Sequence, residues 1–413
     1  MDTAASISER TAPGERELIV MMAALMSLQA FGIDAMLPAL GAMAADFAID
    51  GNSRQLVVAA YLLGSGLGAL FPGAFADRFG RRPLLFFGLT FYIGMSLACA
   101  FVTSFPLLVG LRAVQGIGCA ALTVVPAAIV RDQVGGDRMA RLMSLIMMTF
   151  LAVPLLAPFV GQAILLVAEW RWIFGAMALQ GGAIACWIYL RLPETLGHDN
   201  RQAIHVRSIL RNMKTAVTTR SAIGYTLGSA LIFGSLFGFI NSAQQLIGET
   251  FGVGDIFPFV FGAMVSGMVF ANFVNSRIVE KFGARRVSHL ALLLFIIVSG
   301  LQLLSSSQAD QPLWQFAPLM AVNLGLLGFI GANFSSIAMQ PFFHIAGSAS
   351  SAQTFLRMST GAILGGAIGQ SFDGTARPFA MSLVICAILS LFLVLFSENG
   401  RLFRRPNQPV DQA

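Results

Sequence analysis

The sequence predicts an all-α membrane protein in which twelve transmembrane helices form two pseudo-symmetric six-helix bundles. Three observations predict this class. Of the 413 residues, 56% are hydrophobic and 11% are charged, whereas soluble domains are about 45–50% apolar and about 25% charged. The apolar residues form continuous runs of membrane-spanning length, and the two halves of the chain carry similar motifs. A core of this size cannot hide so much apolar surface from water, so a soluble globular protein is excluded.

The apolar runs are interpreted as helices because they are continuously apolar, whereas the strands of a membrane barrel alternate. A helix of about 20 residues crosses the hydrocarbon layer. The predicted spans, in order, are 18–40, 54–75, 84–103, 106–130, 140–167, 172–192, 221–247, 255–278, 287–306, 313–340, 346–371 and 377–397. They divide the chain into a cytoplasmic segment 1–17, a first bundle 18–192, a cytoplasmic linker 193–220, a second bundle 221–397 and a cytoplasmic tail 398–413.

The distribution of basic residues predicts the orientation of the chain, because Arg and Lys concentrate on the cytoplasmic side of membrane proteins. With the N-terminus inside, 21 of the 26 Arg and Lys residues fall in cytoplasmic segments. Arg54, Arg171 and Arg377 fall outside, and Arg112 and Arg357 fall within spans. Both termini are therefore predicted to be cytoplasmic.

A short charged motif repeats between the halves of the chain. The copy in the very short loop predicted after the second span is Asp77-Arg78-Phe79-Gly80-Arg81-Arg82, and the copy in the loop after the eighth is Glu280-Lys281-Phe282-Gly283-Ala284-Arg285-Arg286. Their glycines are 203 residues apart. Repeated six-span halves are typical of secondary transporters. The charges of the first copy can clamp the cytoplasmic side in one conformation; simple positive-inside anchoring is the alternative.

Ionisable side chains inside the hydrocarbon layer are costly and usually functional. Three are predicted within spans: Asp34 in the first, Arg112 in the fourth and Arg357 in the eleventh. Asp34 lies about 7.5 Å to the outer side of the centre of its span, and Arg112 lies at nearly the same depth. One interpretation is a carboxyl group that exchanges a proton as Arg112 approaches or leaves; a permanent ion pair is the alternative. Arg112 can also anchor to backbone carbonyls, and the partner of Arg357 is left open among substrate, a carbonyl and lipid head groups.

Polar, aromatic and methionine side chains within spans are candidates for lining a substrate cavity, because hydrocarbon penalises polar groups and flexible side chains suit varied molecules. Each of them can instead be core or lipid-facing. The candidates are Met26, Gln29, Met36, Tyr61, Gln115, Phe150, Tyr225, Phe237, Asn241, Gln353 and Arg357. Pro154 and Pro158 are predicted to bend the fifth span. Gly64 and Gly68 predict a close helix contact in the second span, for gating or for ordinary packing.

Several other functions lack their motifs in the sequence. There is no Walker A motif, which argues against ATP-driven pumping, and no H-E-x-x-H motif of a metalloprotease. Residues 252–255 match the G-x-G-D signature of intramembrane proteases, but no second span-buried aspartate completes it. The basic residues form no aromatic-studded face for nucleic acid. The cysteines are isolated, so we expect small buried hydrophobes and no metal site: Cys99, Cys119, Cys186 and Cys386.

Several of these motifs resemble one family. The run Gly73-Ala74-Phe75-Ala76-Asp77-Arg78-Phe79-Gly80-Arg81-Arg82 resembles the signature between helices two and three of the Major Facilitator Superfamily. Leu111–Gly118 resembles its helix-four motif linked to proton coupling. Ala152–Gly161, with Pro154, Pro158 and Gly161, resembles its helix-five antiporter motif, from which Ala157 and Gln162 depart. Ile33–Leu40 and His344–Ser351 are similar to segments of its Bcr/CflA drug-resistance branch.

The resemblance covers nearly all of 18–397. It implies a six-plus-six helix arrangement and proton-driven export of drugs such as bicyclomycin, chloramphenicol or sulfonamides across the bacterial inner membrane, with the proton gradient in place of a cofactor. It implies Asp34 as the protonation site and Arg112 as its modulator. It assigns the conformational latch to Gly73, Asp77, Arg78, Gly80, Arg81 and Arg82. A functional monomer is expected, and proton-coupled export of one specific metabolite, an amino acid or a sugar, on the same fold is the alternative function.

Overall fold

The computed structural model of the protein describes residues 13–49, 51–134, 136–150, 152–197, 201, 206–308 and 311–403. In these residues all regular structure is helical. The chain divides into two compact units, Met1–Val206 and Arg207–Ala413, and the division falls in the segment 193–220. Most of the predicted cytoplasmic segment 1–17 and of the predicted tail 398–413 lies outside the described residues.

The first unit contains nine helices in its described part. They are α1 (Glu15–Asp34), α2 (Leu40–Asp46), α3 (Leu56–Gly68), α4 (Pro72–Phe79), α5 (Arg81–Ala100), α6 (Phe105–Gln133), α7 (Gly136–Phe150), α8 (Ala152–Val167) and α9 (Arg171–Arg191). A short 3₁₀ turn, Leu37–Ala39, connects α1 to α2. Pro38 lies in this turn, and because proline has no N–H to donate, the α-helical ladder of α1 ends before it.

The second unit contains seven helices in its described part. They are α10 (Val206–Thr218), α11 (Arg220–Gln245), α12 (Phe257–Phe282), α13 (Ala284–Ser306), α14 (Leu313–Met339), α15 (Ala346–Gln370) and α16 (Arg377–Ser397). A single π turn, Leu246–Thr250, extends α11. Helix α10 belongs to the predicted linker, and the other helices coincide with the predicted spans of the second half.

Ten helical stretches in the described residues are long and apolar enough to cross a membrane, or eleven when α3 and α4 count as one bent span. The remaining predicted span is α15, which has 25 residues but is rich in Gly, Ser and Ala. Its small residues serve packing: a Cβ at Gly361 or Gly365 would press on Phe237 of α11. Close helix approach through small residues is common in membranes. The low hydropathy of α15 follows from these small residues, and the count of twelve spans stays a prediction.

The second predicted span, 54–75, is broken in the structure. Helices α3 and α4 are bent by 50° relative to each other, with Pro72 at the start of α4. Proline removes a backbone donor and crowds the preceding turn, which explains a sharp bend at this point. The charged motif that follows was expected in a loop. Instead Asp77 lies in the last turn of α4, Arg81 is the first residue of α5, and Gly80 alone separates the two helices.

Both copies of the repeated motif turn at a glycine with positive φ. Gly80 has φ +105° between α4 and α5, and Gly283 has φ +83° between α12 and α13. Residues with a side chain rarely adopt this conformation. The sequence repeat therefore corresponds to the same local geometry in each unit.

Helices α3 and α6 pack closely at Gly64 and Gly68, the two glycines that predicted a close helix contact in the second span. A Cβ at Gly64 would overlap the carbonyl oxygen of Ala113, and one at Gly68 would overlap that of Ile117. From the other side, a Cβ at Gly116 would overlap the carbonyl oxygen of Tyr61. These contacts require glycine, because backbone atoms cannot move aside as a flexible side chain can.

Candidate functional site

Asp34 is the last residue of α1 and is buried, with 4% of its surface exposed. Among the described residues its carboxylate has no hydrogen-bond or ion-pair partner. The chain leaves the helix directly after it, because the turn at Pro38 follows. A carboxyl group in this position can bind and release a proton without breaking an ion pair.

Arg112 of α6 is fully buried. Its Nη2 donates to the carbonyl oxygen of Gly32 at 2.6 Å, its Nε to that of Val57 at 3.3 Å, and its Nη1 to Oε1 of Gln115 at 2.6 Å. The guanidinium carbon lies 4.1 Å from the ring centroid of Tyr61. Arg112 thus contacts the turn of α1 that precedes Asp34, but it binds carbonyl oxygens there and not the carboxylate. Of the alternatives drawn from the sequence, the carbonyl-anchored arginine is the arrangement in this structure.

The polar contacts of Arg112 continue into α5. Nε2 of Gln115 donates to Oγ of Ser96 at 2.7 Å, and Ser96 Oγ donates to the carbonyl oxygen of Tyr92 at 2.8 Å. The Tyr92 hydroxyl donates to the carbonyl oxygen of Leu28 in α1 at 3.1 Å. A buried network therefore joins α1, α3, α5 and α6. Sequence analysis found Arg112 and Gln115 but missed Ser96 and Tyr92, whose signal was a polar group inside an apolar run.

The segment of α8 that resembles the antiporter motif packs against the backbone next to Asp34. A Cβ at Gly161 would overlap the carbonyl oxygen of Ala35, the residue after Asp34, and would lie 3.2 Å from Cγ of Pro38. Pro158 lies inside α8, and Pro154 lies in its first turn, where a missing N–H costs little. Helices α6 and α8 thus contact the backbone on either side of Asp34.

The cavity candidates of the first unit differ in exposure. Tyr61, Met36 and Gln115 are fully buried, and Met26 is nearly so. Gln29 and Phe150 are partly exposed. Tyr61 packs on Gly32 and on Arg112, and Gln115 belongs to the buried network.

Arg81 is the centre of the charged motif in the first unit. Its Nη1 lies 2.6 Å from Oδ1 of Asp77, and its Nε lies 2.9 Å from Oδ2 of Asp132 at the end of α6. Glu194, which follows α9, accepts hydrogen bonds from the backbone N–H groups of Arg81 at 2.9 Å and Arg82 at 3.1 Å. A carboxylate there stabilises the N-terminus of α5. Sequence analysis missed Asp132 and Glu194, which lie far along the chain from the motif.

Other members of the predicted latch make different contacts. Nη2 of Arg82 donates to the carbonyl oxygen of Tyr189 at 3.0 Å. Arg78 is exposed. A Cβ at Gly73 would meet no atom of its own unit within 4 Å among the described residues, so packing within the unit does not explain this glycine. A Cβ at Gly80 would lie 2.5 Å from Oε2 of Glu194.

The second unit repeats this arrangement with different residues. Nε of Arg285 lies 2.7 Å from Oε1 of Glu398, which follows α16. The hydroxyl of Tyr225 donates to the same oxygen at 2.6 Å and lies 2.8 Å from Nε2 of His289. The backbone N–H of Phe403 donates to Nδ1 of His289 at 3.0 Å. Tyr225, a candidate for a substrate cavity, therefore has its hydroxyl bound within this cluster.

The remaining candidates of the second unit lie on α11 and α15. Asn241 is buried, and neither atom of its side-chain amide has a hydrogen-bond partner in the described residues. The same holds for Nε2 of Gln353 and Nε of Arg357. Phe237 packs on the glycines of α15. These polar atoms have no hydrogen-bond partner within the described residues.

The cysteines and other metal-ligating residues form no site in the described part of the chain. No group of three His, Cys, Asp or Glu side chains is placed to hold a metal ion there. Cys99, Cys119 and Cys386 are buried, whereas Cys186 is exposed on α9. The expectation of a buried Cys186 was wrong, because an apolar run in a membrane helix does not distinguish an interior face from an outer one.

Two helical units, each with several membrane-spanning helices and a repeated charged turn, define a multi-pass membrane protein of the transporter type. The sequence profile of the Major Facilitator Superfamily matches residues 22–363. The chain belongs to that family, whose members are transporters.

Relatives and solved structures extend the comparison. The chain is 29% identical over 388 residues to a bicyclomycin resistance protein homolog of Haemophilus influenzae, covering 94% of this chain and 97% of that protein. It is 28% identical over 390 residues to the multidrug resistance protein MdtL of Escherichia coli, covering 92% and 95%. Among solved structures, a D-xylose–proton symporter superposes with a TM-score of 0.71 at 15% identity, covering 93% of this chain and 99% of that one. At this identity the last comparison shows the fold alone.

Proposed function

We propose that the protein exports small drug-like molecules from the bacterial cytoplasm across the inner membrane in exchange for protons. The observation that carries this proposal is Asp34, a buried carboxyl group without a counter-ion among the described residues of its unit. Ionisable groups inside membrane spans commonly serve as proton relays. The names of the relatives, which refer to bicyclomycin resistance and multidrug resistance, support drugs as the cargo.

The contacts around Asp34 suggest how a proton is linked to helix movement. Arg112 holds the Gly32 carbonyl on one side of Asp34, and Gly161 packs on the Ala35 carbonyl on the other. A change of charge at Asp34 therefore acts where α1 meets α6 and α8. Arg81 with its two aspartates and Glu194 forms the latch that holds one conformation at the cytoplasmic end of the first unit.

The proposal includes twelve spans with both termini in the cytoplasm and a monomer as the functional unit. Its support is the uneven distribution of Arg and Lys and the length of α15. The candidates Met26, Gln29, Phe150, Phe237, Asn241, Gln353 and Arg357 are proposed to contact the transported molecule.

The test is transport by the purified full-length chain in proteoliposomes with an acidic lumen. Wild-type protein is expected to accumulate ethidium or chloramphenicol in the lumen, and a protonophore to abolish this accumulation. Asp34→Asn is expected to lower proton-driven accumulation at least about tenfold, because a neutral amide carries no proton. Asp255→Asn, which changes an exposed carboxylate before α12, is the matched control and is expected to match wild type. Full accumulation by Asp34→Asn contradicts the proton-coupling assignment.

A further inference from the structure

Arg357 of α15 is a cation for which the described residues provide no counter-ion. It is partly buried, and its guanidinium carbon lies 4.6 Å from the ring centroid of Phe233 in α11. In the described part of the chain its Nε is buried without a hydrogen-bond partner. An unpaired charged donor away from water is costly. Arg112 differs in this respect, because three acceptors bind its buried guanidinium.

Two further polar groups, one on α15 and one on α11, also lack partners in the described residues. Gln353 lies four residues before Arg357, so both share one face of α15, and its Nε2 is buried and unbonded among the described residues. Asn241 of α11, where α11 packs on Gly365 of α15, has an amide without partners in the same part of the chain. Buried polar groups in folded proteins nearly always have a hydrogen-bond partner. Orphaned donors on one helix pair therefore indicate that a bound molecule supplies the acceptors.

We propose that Arg357, together with Gln353 and the ring of Phe233, binds the carboxylate of an aromatic substrate; this rests on the proposed export function. A guanidinium that lies over a ring keeps its N–H groups free at its edge, and that fork matches a carboxylate in two parallel hydrogen bonds. The ring of Phe233 offers an apolar face for the aromatic part of the substrate. The charge of Arg357 therefore favours an anionic group at this position.

Binding tests the site directly, independently of transport. Nalidixate, an aromatic carboxylate, is the probe, and equilibrium dialysis with the purified full-length chain in detergent is the measurement. Wild-type protein is expected to bind nalidixate at least about tenfold more tightly than the uncharged ethyl ester of nalidixate, a ratio of about 1.4 kcal/mol. Equal binding of acid and ester, or no binding of nalidixate, overturns the inference without the need for any variant.

Variants locate the site. Arg357→Gln is expected to weaken nalidixate binding at least about tenfold, and Arg357→Lys to weaken it less, because it keeps the charge and loses the fork. Arg277→Gln is the matched control, since Arg277 also lies over a phenylalanine, Phe273 at 5.2 Å, but on an exposed face. Unchanged nalidixate binding in Arg357→Gln overturns the assignment. A melting temperature of Arg357→Gln in detergent equal to that of wild type shows that this variant is folded.

The two proposals fail in different ways. If wild-type protein transports ethidium or chloramphenicol on a proton gradient but does not bind nalidixate, the carboxylate site is wrong and the export function stands. If nalidixate binds and Arg357→Gln loses it, but wild-type protein moves no drug on a proton gradient, the carboxylate site stands and the proposed function is wrong.

Discussion

A buried arginine needs acceptors more than it needs an opposite charge, and Arg112 illustrates this at the scale of single residues. Its guanidinium is satisfied by the carbonyl oxygens of Gly32 and Val57 and by Gln115. The ring of Tyr61 covers its face, which adds a cation–π contact. Because these partners are fixed to three helices, Arg112 stabilises the packing around Asp34 while the carboxyl group stays unpaired.

We therefore expect Arg112→Lys to destabilise the protein although it keeps the charge. A lysine ammonium cannot reach three separated acceptors in the fork geometry of arginine, and each buried acceptor left without a donor costs about 1–3 kcal/mol. Thermal unfolding of the purified protein in detergent is the measurement, with Arg277→Lys on an exposed face as the control. A melting temperature of Arg112→Lys equal to that of wild type would show that the carbonyl contacts of Arg112 do not stabilise the protein.

Sequence reasoning identified Asp34, Arg112 and Arg357 because a charge within an apolar run stands out in any sequence. It left the partner of Arg112 open, and the reason is physical. A backbone carbonyl is the same group at every residue, so no letter in the sequence marks Gly32 or Val57 as an acceptor. Only the placement of α1 and α3 against α6 decides this.

At the scale of helices, the contact between α3 and α6 depends on missing side chains. Gly64→Ala is expected to push the two helices apart, because its Cβ would overlap the backbone carbonyl of Ala113. Gly94→Ala on α5 is the control, since its Cβ would meet nothing within 4 Å in the described residues and alanine favours a helix over glycine by about 0.5–1 kcal/mol. Thermal unfolding should show a lower melting temperature than wild type for Gly64→Ala and no decrease for Gly94→Ala. Equal stability of both variants would contradict tight packing at this contact.

Helix positions were predictable where apolar runs were continuous, and less so where local geometry interrupts them. The break at Pro72 and the one-residue turn at Gly80 depend on single backbone angles that composition does not report. Helix α15 shows the opposite case. It was predicted as a span although its small residues make it less apolar than the other helices, and its contact with Phe237 explains those residues.

At the scale of the whole molecule, the charged motif and its acidic partner occur once in each unit. Glu194 and Glu398 are 204 residues apart, close to the spacing of the two charged motifs, and each binds the motif of its own unit. The motif copies were recognisable in the sequence because their residues are contiguous. The acidic partners were not, because each lies more than a hundred residues from its arginine and becomes its neighbour only in the folded unit.

The membrane topology of the whole chain can be tested at two exposed positions. Glu169 lies between α8 and α9, and Arg401 follows α16. If α9 and α11 to α16 all cross, seven crossings separate these positions and they face opposite sides of the membrane. If α15 does not cross, six crossings place them on the same side.

We expect Glu169→Cys, in a background with the four native cysteines changed to serine, to react with an impermeant maleimide in intact cells. Arg401→Cys should react only after permeabilisation, and labelling of both positions in intact cells would contradict the twelve-span topology.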